Sequence, residues 1–100
     1  MLAVNPLTMA RDKPFSKKEL AEAIRLAIIA ELDAVNLYEQ MASLIEDEKF
    51  KKVFLDVANE EKTHIGEFLA LLLELDPEQV DEIRKGFKEV KELTGIEKKI

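Results

Sequence analysis

The sequence predicts an all-α protein: an antiparallel two-helix hairpin, a short C-terminal helix, and a four-helix bundle completed when two chains associate. Apolar residues recur at helical spacing over most of the chain, and no strand-like alternation is present. A short polar break separates two long helical stretches, an arrangement typical of antiparallel neighbours. The apolar surface of these two stretches exceeds what one hairpin covers, and exposed apolar surface of that extent is typical of association.

The first helix is predicted to begin at a capping box. Ser16 and Glu19 have the required spacing, in which each side chain accepts a hydrogen bond from the backbone of the other residue. Neither glycine nor proline follows until well beyond Glu46, so we expect the helix to reach about that residue. Residues 1–14 contain two prolines and no periodicity, and are interpreted as a mobile arm.

Two further helices follow. Asp47-Glu48-Lys49 forms the polar break, and the second helix is expected from about Phe50 to Leu75. Asp76 and Pro77 then have the residue types of an N-cap and a first helical position. The third helix should continue to about Leu93, with Gly95 as its C-cap. This gives one helical domain over 15–95, followed by a tail or truncated linker over 96–100.

Composition limits the function classes. The 100 residues include no cysteine, which excludes disulfides, zinc–thiolate sites and iron–sulfur clusters. A net charge of −6 argues against a nucleic acid or an anionic membrane as partner. No signal peptide and no transmembrane segment is recognisable, so a cytoplasmic location is expected. A transition metal would have to be bound by carboxylates and histidine.

Three polar residues point into apolar helix faces: Glu31 on the first helix, and Glu61 and His64 on the second. Their neighbours at helical spacing are mostly apolar or aromatic, where a carboxylate is costly unless it is paired, protonated or bound to a metal. Di-iron helical bundles use one Glu from each of two helices and a Glu-x-x-His from each of the other two. This chain has one of each and a single histidine. A second copy would therefore have to supply the other half of a di-metal site.

Each residue also has a simpler explanation. A glutamate on an apolar face often pairs with Lys or Arg at its rim, and a core histidine is usually satisfied by ordinary hydrogen bonds. Glu-x-x-His arises by chance in charged helices, and Tyr38 could simply fill the core. The combination favours a metal site, because Glu31 and Glu61 are level on an antiparallel hairpin. Tyr38 follows Glu31 by seven residues on the same face.

The segments from Glu31 to Tyr38 and from Asn59 to His64 resemble the two signature segments of the encapsulated ferritins, within the ferritin-like superfamily. The resemblance extends over about 16–94. It implies a ferroxidase with a di-iron centre at a twofold dimer interface, two irons per dimer. It assigns Glu31, Glu61 and His64 of each chain as metal ligands, with Glu61 bridging, and Tyr38 as an adjacent catalytic residue. It further implies a ring-shaped decamer inside an encapsulin nanocompartment, where iron is stored as mineral.

The sequence departs from that pattern in several places. Ala30 stands where an acidic residue is expected, Leu37 replaces an aromatic residue, and Asp33 retains a second acidic position associated with metal access. A cargo-targeting tail is also missing after Gly95, so the sequence is expected either to be truncated or to continue into a shell protein.

Two other functions remain open from sequence. One is a non-catalytic helical adaptor or structural oligomer, in which Glu and His merely pair with each other. The other is a rubrerythrin-like di-iron peroxidase, which the absence of a second Glu-x-x-His and of cysteines disfavours.

Overall fold

The computed structural model describes residues 12–100 and contains three helices: α1 (Lys17–Ser43), α2 (Glu48–Leu75) and α3 (Pro77–Thr94). No strand occurs in this part of the chain, and the predicted all-α hairpin with a C-terminal helix is confirmed. None of the described helices is long and apolar enough to cross a membrane. Residues 1–11 of the predicted arm lie outside the described residues.

The capping box at the start of α1 is present as predicted. The Glu19 backbone N–H donates to Ser16 Oγ at 3.2 Å, and the Ser16 backbone N–H donates to Glu19 Oε1 at 3.0 Å. These bonds satisfy donors that the first turn of a helix cannot pair internally.

The break between α1 and α2 lies earlier than predicted. α1 ends at Ser43 rather than Glu46, and α2 begins at Glu48 rather than Phe50. The reason is that Asp47 is the N-cap of α2: its Oδ1 accepts hydrogen bonds from the backbone N–H groups of Lys49 and Phe50. The chain must therefore leave the first helix early enough to reverse before residue 47.

The hairpin has a buried cluster at its open end and remains incompletely covered. Ala21, Ile24 and Leu72 form a buried cluster there. Across residues 12–100, no large side chain is completely buried. Many apolar side chains on α1 and α2 stay half-exposed or more, among them Ile29, Leu32, Phe50, Val53 and Leu71. This is the uncovered apolar surface that the sequence predicted for a single chain.

The caps of α3 are also as predicted. Pro77 occupies the first turn, and Gly95 ends the helix with φ of +82°, a left-handed conformation that favours glycine. The molecule measures 47 × 46 × 22 Å, so α3 extends away from the hairpin rather than along it. The apolar side chains of α3 are therefore covered only near its start, and Phe87, Val90 and Leu93 are exposed.

Asp76 joins all three helices. Its Oδ2 accepts a hydrogen bond from Arg25 Nη2 of α1 at 2.6 Å, and its Oδ1 accepts one from the Gln79 backbone N–H of α3 at 3.2 Å.

We expect Asp76→Ala to lower the free energy of unfolding by about 1–2 kcal/mol, mostly through the lost cap because the ion pair is solvent-exposed. Asp76→Asn keeps a capping side chain and should lose clearly less. Urea unfolding tests this, and equal losses in the two variants would contradict the assignment to the cap.

Candidate metal centre

The antiparallel register of the hairpin brings Glu31, Glu61 and His64 together. Glu31 lies near the middle of α1, and Glu61 lies at the same level on α2. One ligand atom from each of the three side chains lies within 4.8 Å of the other two. His64 Nδ1 is 3.4 Å from Glu31 Oε2 and 3.4 Å from Glu61 Oε2. The chain thus places on one patch the three residues that the sequence singled out.

The surroundings of the cluster do not support the simpler explanation, in which each glutamate pairs with Lys or Arg at the edge of an apolar face. Among residues 12–100, His64 is the only basic partner of Glu31 and Glu61, and neither carboxylate pairs with Lys or Arg. The two glutamate side chains are only 19% and 18% exposed. Two carboxylates at this separation repel each other, and partial burial strengthens the repulsion. A cation between them would remove that cost.

The donor set fits iron. Carboxylate oxygen and imidazole nitrogen bind iron well, whereas cysteine, the ligand typical of zinc–thiolate and iron–sulfur sites, is absent. Three protein donors leave the coordination of such an ion incomplete. The His64 side chain is 42% exposed, so one side of the cluster is open. Further donors can approach from that side.

Tyr38 lies outside this cluster in the single chain. It is seven residues beyond Glu31, about 10 Å along the helix axis. Its ring packs edge-on against Phe54 of α2, with the centroids 6.3 Å apart and the planes at 72°. Side chains on a helix lean towards its N-terminus, which for Tyr38 is the direction of Glu31.

Charged residues near the cluster behave as a solvated face. Glu39 of α1 pairs with Lys62 of α2 at 3.1 Å, and both side chains are about half exposed. Asp33 is exposed and does not join the three ligands. The Glu39–Lys62 pair is not predictable from local sequence, because only the register of the hairpin makes the two residues neighbours.

Several known proteins resemble this chain in sequence and in fold. The sequence profile of the rubrerythrin family matches residues 22–99. A ferritin-like–encapsulin shell fusion protein of Pyrococcus furiosus is 68% identical over 97 residues, which is 97% of this chain and 28% of that protein. The chain thus spans little more than a quarter of the fusion protein's length.

Two further relatives match over a larger share of their own length. The encapsulin nanocompartment cargo protein EncC of Myxococcus xanthus is 34% identical over 95 residues, covering 95% of this chain and 73% of that protein. The crystal structure of the encapsulated ferritin domain from Pyrococcus furiosus superimposes with a TM-score of 0.87 at 66% identity, covering 98% of this chain and 100% of that one. Fold, sequence profile and relatives therefore agree that the chain belongs to the rubrerythrin family of ferritin-like proteins, as an encapsulated ferritin domain.

Proposed function

We propose that this protein is a ferroxidase that oxidises Fe(II) to Fe(III) at a site shared by two subunits and delivers the iron for mineral storage inside an encapsulin compartment. The observation that carries the proposal is the convergence of Glu31, Glu61 and His64 on a partly open face of the hairpin. One chain offers two carboxylates and one imidazole, half of the four carboxylates and two imidazoles of a di-iron bundle.

A second copy completes the site in this proposal. The apolar side chains that one hairpin leaves exposed lie on α1 and α2, the helices that carry the ligands, and a facing hairpin would bury such surface. Each chain then contributes the same three ligands across a twofold axis. Glu61 of both chains bridges the two substrate ions, while Glu31 and His64 bind one ion each.

The oxidation follows from the charge of these ligands. Hard, anionic oxygen donors stabilise Fe(III) more than Fe(II), which lowers the reduction potential of the bound ion. Two Fe(II) ions give one electron each to dioxygen, which takes up two protons and leaves as hydrogen peroxide. The bridging carboxylates keep the two ions close enough for one oxidant to accept both electrons. Tyr38, in this proposal, orients the site from the adjacent turn or assists electron transfer.

The compartment enters the proposal through the relatives. One is fused to an encapsulin shell and another is a nanocompartment cargo protein. The domain measures only 47 × 46 × 22 Å and cannot itself enclose a mineral core, so the ferric product needs a container outside it. A surrounding encapsulin shell would supply it.

A measurement of oxidation tests the activity itself. Protein loaded anaerobically with Fe(II) and then mixed with air should show a rapid rise in near-ultraviolet absorbance, well above that of iron in buffer. An absorbance rise that persists when catalase removes the released hydrogen peroxide would support the oxidase. An absorbance rise equal to that of buffer would contradict it and favour the structural oligomer, and oxidation that requires hydrogen peroxide would favour the rubrerythrin-like peroxidase.

A further inference from the structure

A cationic groove lies between α3 and the C-terminal segment. Its volume is about 350 Å³, and the basic residues of its lining are Arg84, Lys88, Lys91, Lys98 and Lys99. With Glu97 as the one acidic residue of the lining, these side chains give the groove a net charge of +4. The whole chain has a net charge of −6. Positive charge is therefore concentrated in one concavity, which attracts small anions.

Contacts within the chain account for only one of these basic side chains. Lys91 Nζ lies 3.3 Å from Glu97 Oε1, and Lys91 in the last turn of α3 also stabilises the negative end of the helix dipole. The other four basic side chains of the groove form no ion pair within residues 12–100. Arg84 and Lys88 precede the last turn of α3, so the helix dipole does not explain them.

The basic side chains are arranged along a line. Arg84, Lys88 and Lys91 follow one another at helical spacing on one face of α3, over about 10 Å of the helix axis. Lys98 and Lys99 line the groove from the C-terminal segment. Cations along a line fit an elongated anion better than a compact one. The guanidinium group binds two phosphate oxygens at once, and ammonium groups bind phosphate as point charges.

We propose that the groove binds a short chain of phosphate groups, either inorganic polyphosphate or the phosphate chain of a nucleotide. The volume of the groove lies within the range of ligand pockets, about 300–1,000 Å³. A long polyanion such as a nucleic acid would also meet the acidic remainder of the chain. A short chain stays near the basic side chains, within about one Debye length, which is about 10 Å at 0.1 M salt.

Phe87 distinguishes the two forms of the ligand. Its side chain lines the groove, and the residue is 36% exposed. It follows Arg84 by three residues and precedes Lys91 by four, so it lies on the same face of α3. An aromatic base can stack on such a ring, which stabilises a bound nucleotide and contributes nothing to the binding of an inorganic chain.

Calorimetric titration of the metal-free protein with tripolyphosphate, and separately with ATP, tests the proposal. We expect Arg84→Gln with Lys88→Gln to weaken the binding of both probes at least about tenfold, because two charge-assisted contacts are lost. Lys98→Gln with Lys99→Gln should act in the same direction without altering a helix. Binding should also weaken between about 0.1 M and 1 M salt, where the Debye length falls from about 10 Å to about 3 Å.

Phe87→Leu separates the two sources of the phosphate chain. Weaker binding of ATP with unchanged binding of tripolyphosphate identifies a nucleotide as the ligand. Unchanged binding of both probes identifies the inorganic chain.

A matched control is Lys17→Gln with Lys18→Gln, which removes two positive charges at exposed positions of α1 outside the groove. It should bind both probes like the wild type. The groove variants should oxidise Fe(II) at the wild-type rate in phosphate-free buffer, because the metal ligands lie on the hairpin and not on α3. This separates failure of the groove from failure of the proposed ferroxidase. A wild-type protein that binds neither probe, or a control that loses as much binding as the groove variants, would overturn the proposal.

Discussion

His64→Ala is expected to abolish rapid Fe(II) oxidation. His64 is the only histidine of the chain and contacts both glutamates of the cluster, so the variant loses the one nitrogen ligand available. In a twofold-symmetric site the substitution removes a ligand from both halves at once. Substitution of residues that only hydrogen-bond to metal ligands commonly lowers metal affinity or activity about 10–100-fold. We therefore expect the loss of a ligand itself to lower the oxidation rate at least about a hundredfold. Stopped-flow absorbance after aeration of the Fe(II)-loaded protein measures it.

Thr63→Ala is the matched control for this variant. Thr63 precedes His64 on α2, and within residues 12–100 its hydroxyl donates a hydrogen bond only to the Asn59 backbone carbonyl, so oxidation should stay near the wild-type rate. Glu61→Ala should behave like His64→Ala while keeping the helical fold, because the loss of facing carboxylates removes a repulsion from the metal-free dimer. Wild-type oxidation by Glu61→Ala or His64→Ala would place the active site elsewhere.

Metal binding is expected to drive association and raise thermal stability. A ligand that binds only the assembled state stabilises it by mass action, by about 2.7 kcal/mol at a free concentration 100 times Kd. For a domain of this size that corresponds to a rise in Tm of about 10–20 °C. Light scattering and thermal unfolding of metal-free protein, before and after a divalent metal ion is added, should show both changes. A chelator should reverse them.

Glu31→Ala with Glu61→Ala is the control for metal-driven association. It keeps the apolar surface of the hairpin and removes the carboxylates, so it should still associate by apolar contact but lose the response to metal. Identical size and Tm with and without metal in the wild type, at concentrations where free monomer is populated, would argue against a site shared between subunits and for a structural role.

The sequence predicted the parts of the fold that depend on local chemistry. The capping box at Ser16, the N-cap at Asp76 and the left-handed Gly95 are each specified by residues within a few positions, and all three are present. The predicted end of α1 at about Glu46 is too late, because the residues before Asp47 are compatible with a helix and only the reversal into α2 excludes them. Helix ends set by a neighbouring element are poorly visible in a local pattern.

The candidate ligands were predictable for a different reason. Each of the three is a polar residue on an otherwise apolar helix face: Glu31, Glu61 and His64. The level of each along the hairpin follows from the rise per residue of an α-helix. The direction of α3 was not predictable. It depends on how Arg25 meets Asp76, a contact that no sequence spacing specifies.

The shared metal site is tested most directly by counting metals and chains in the same particle. Anaerobic titration with Fe(II), followed by native mass spectrometry, gives both numbers for each species. One set of three ligands per chain predicts saturation at two irons in a dimer, or the same ratio in larger assemblies, and no tightly bound iron in the monomer. A monomer that holds two irons tightly, or a saturated dimer with four, would contradict a site that two subunits complete.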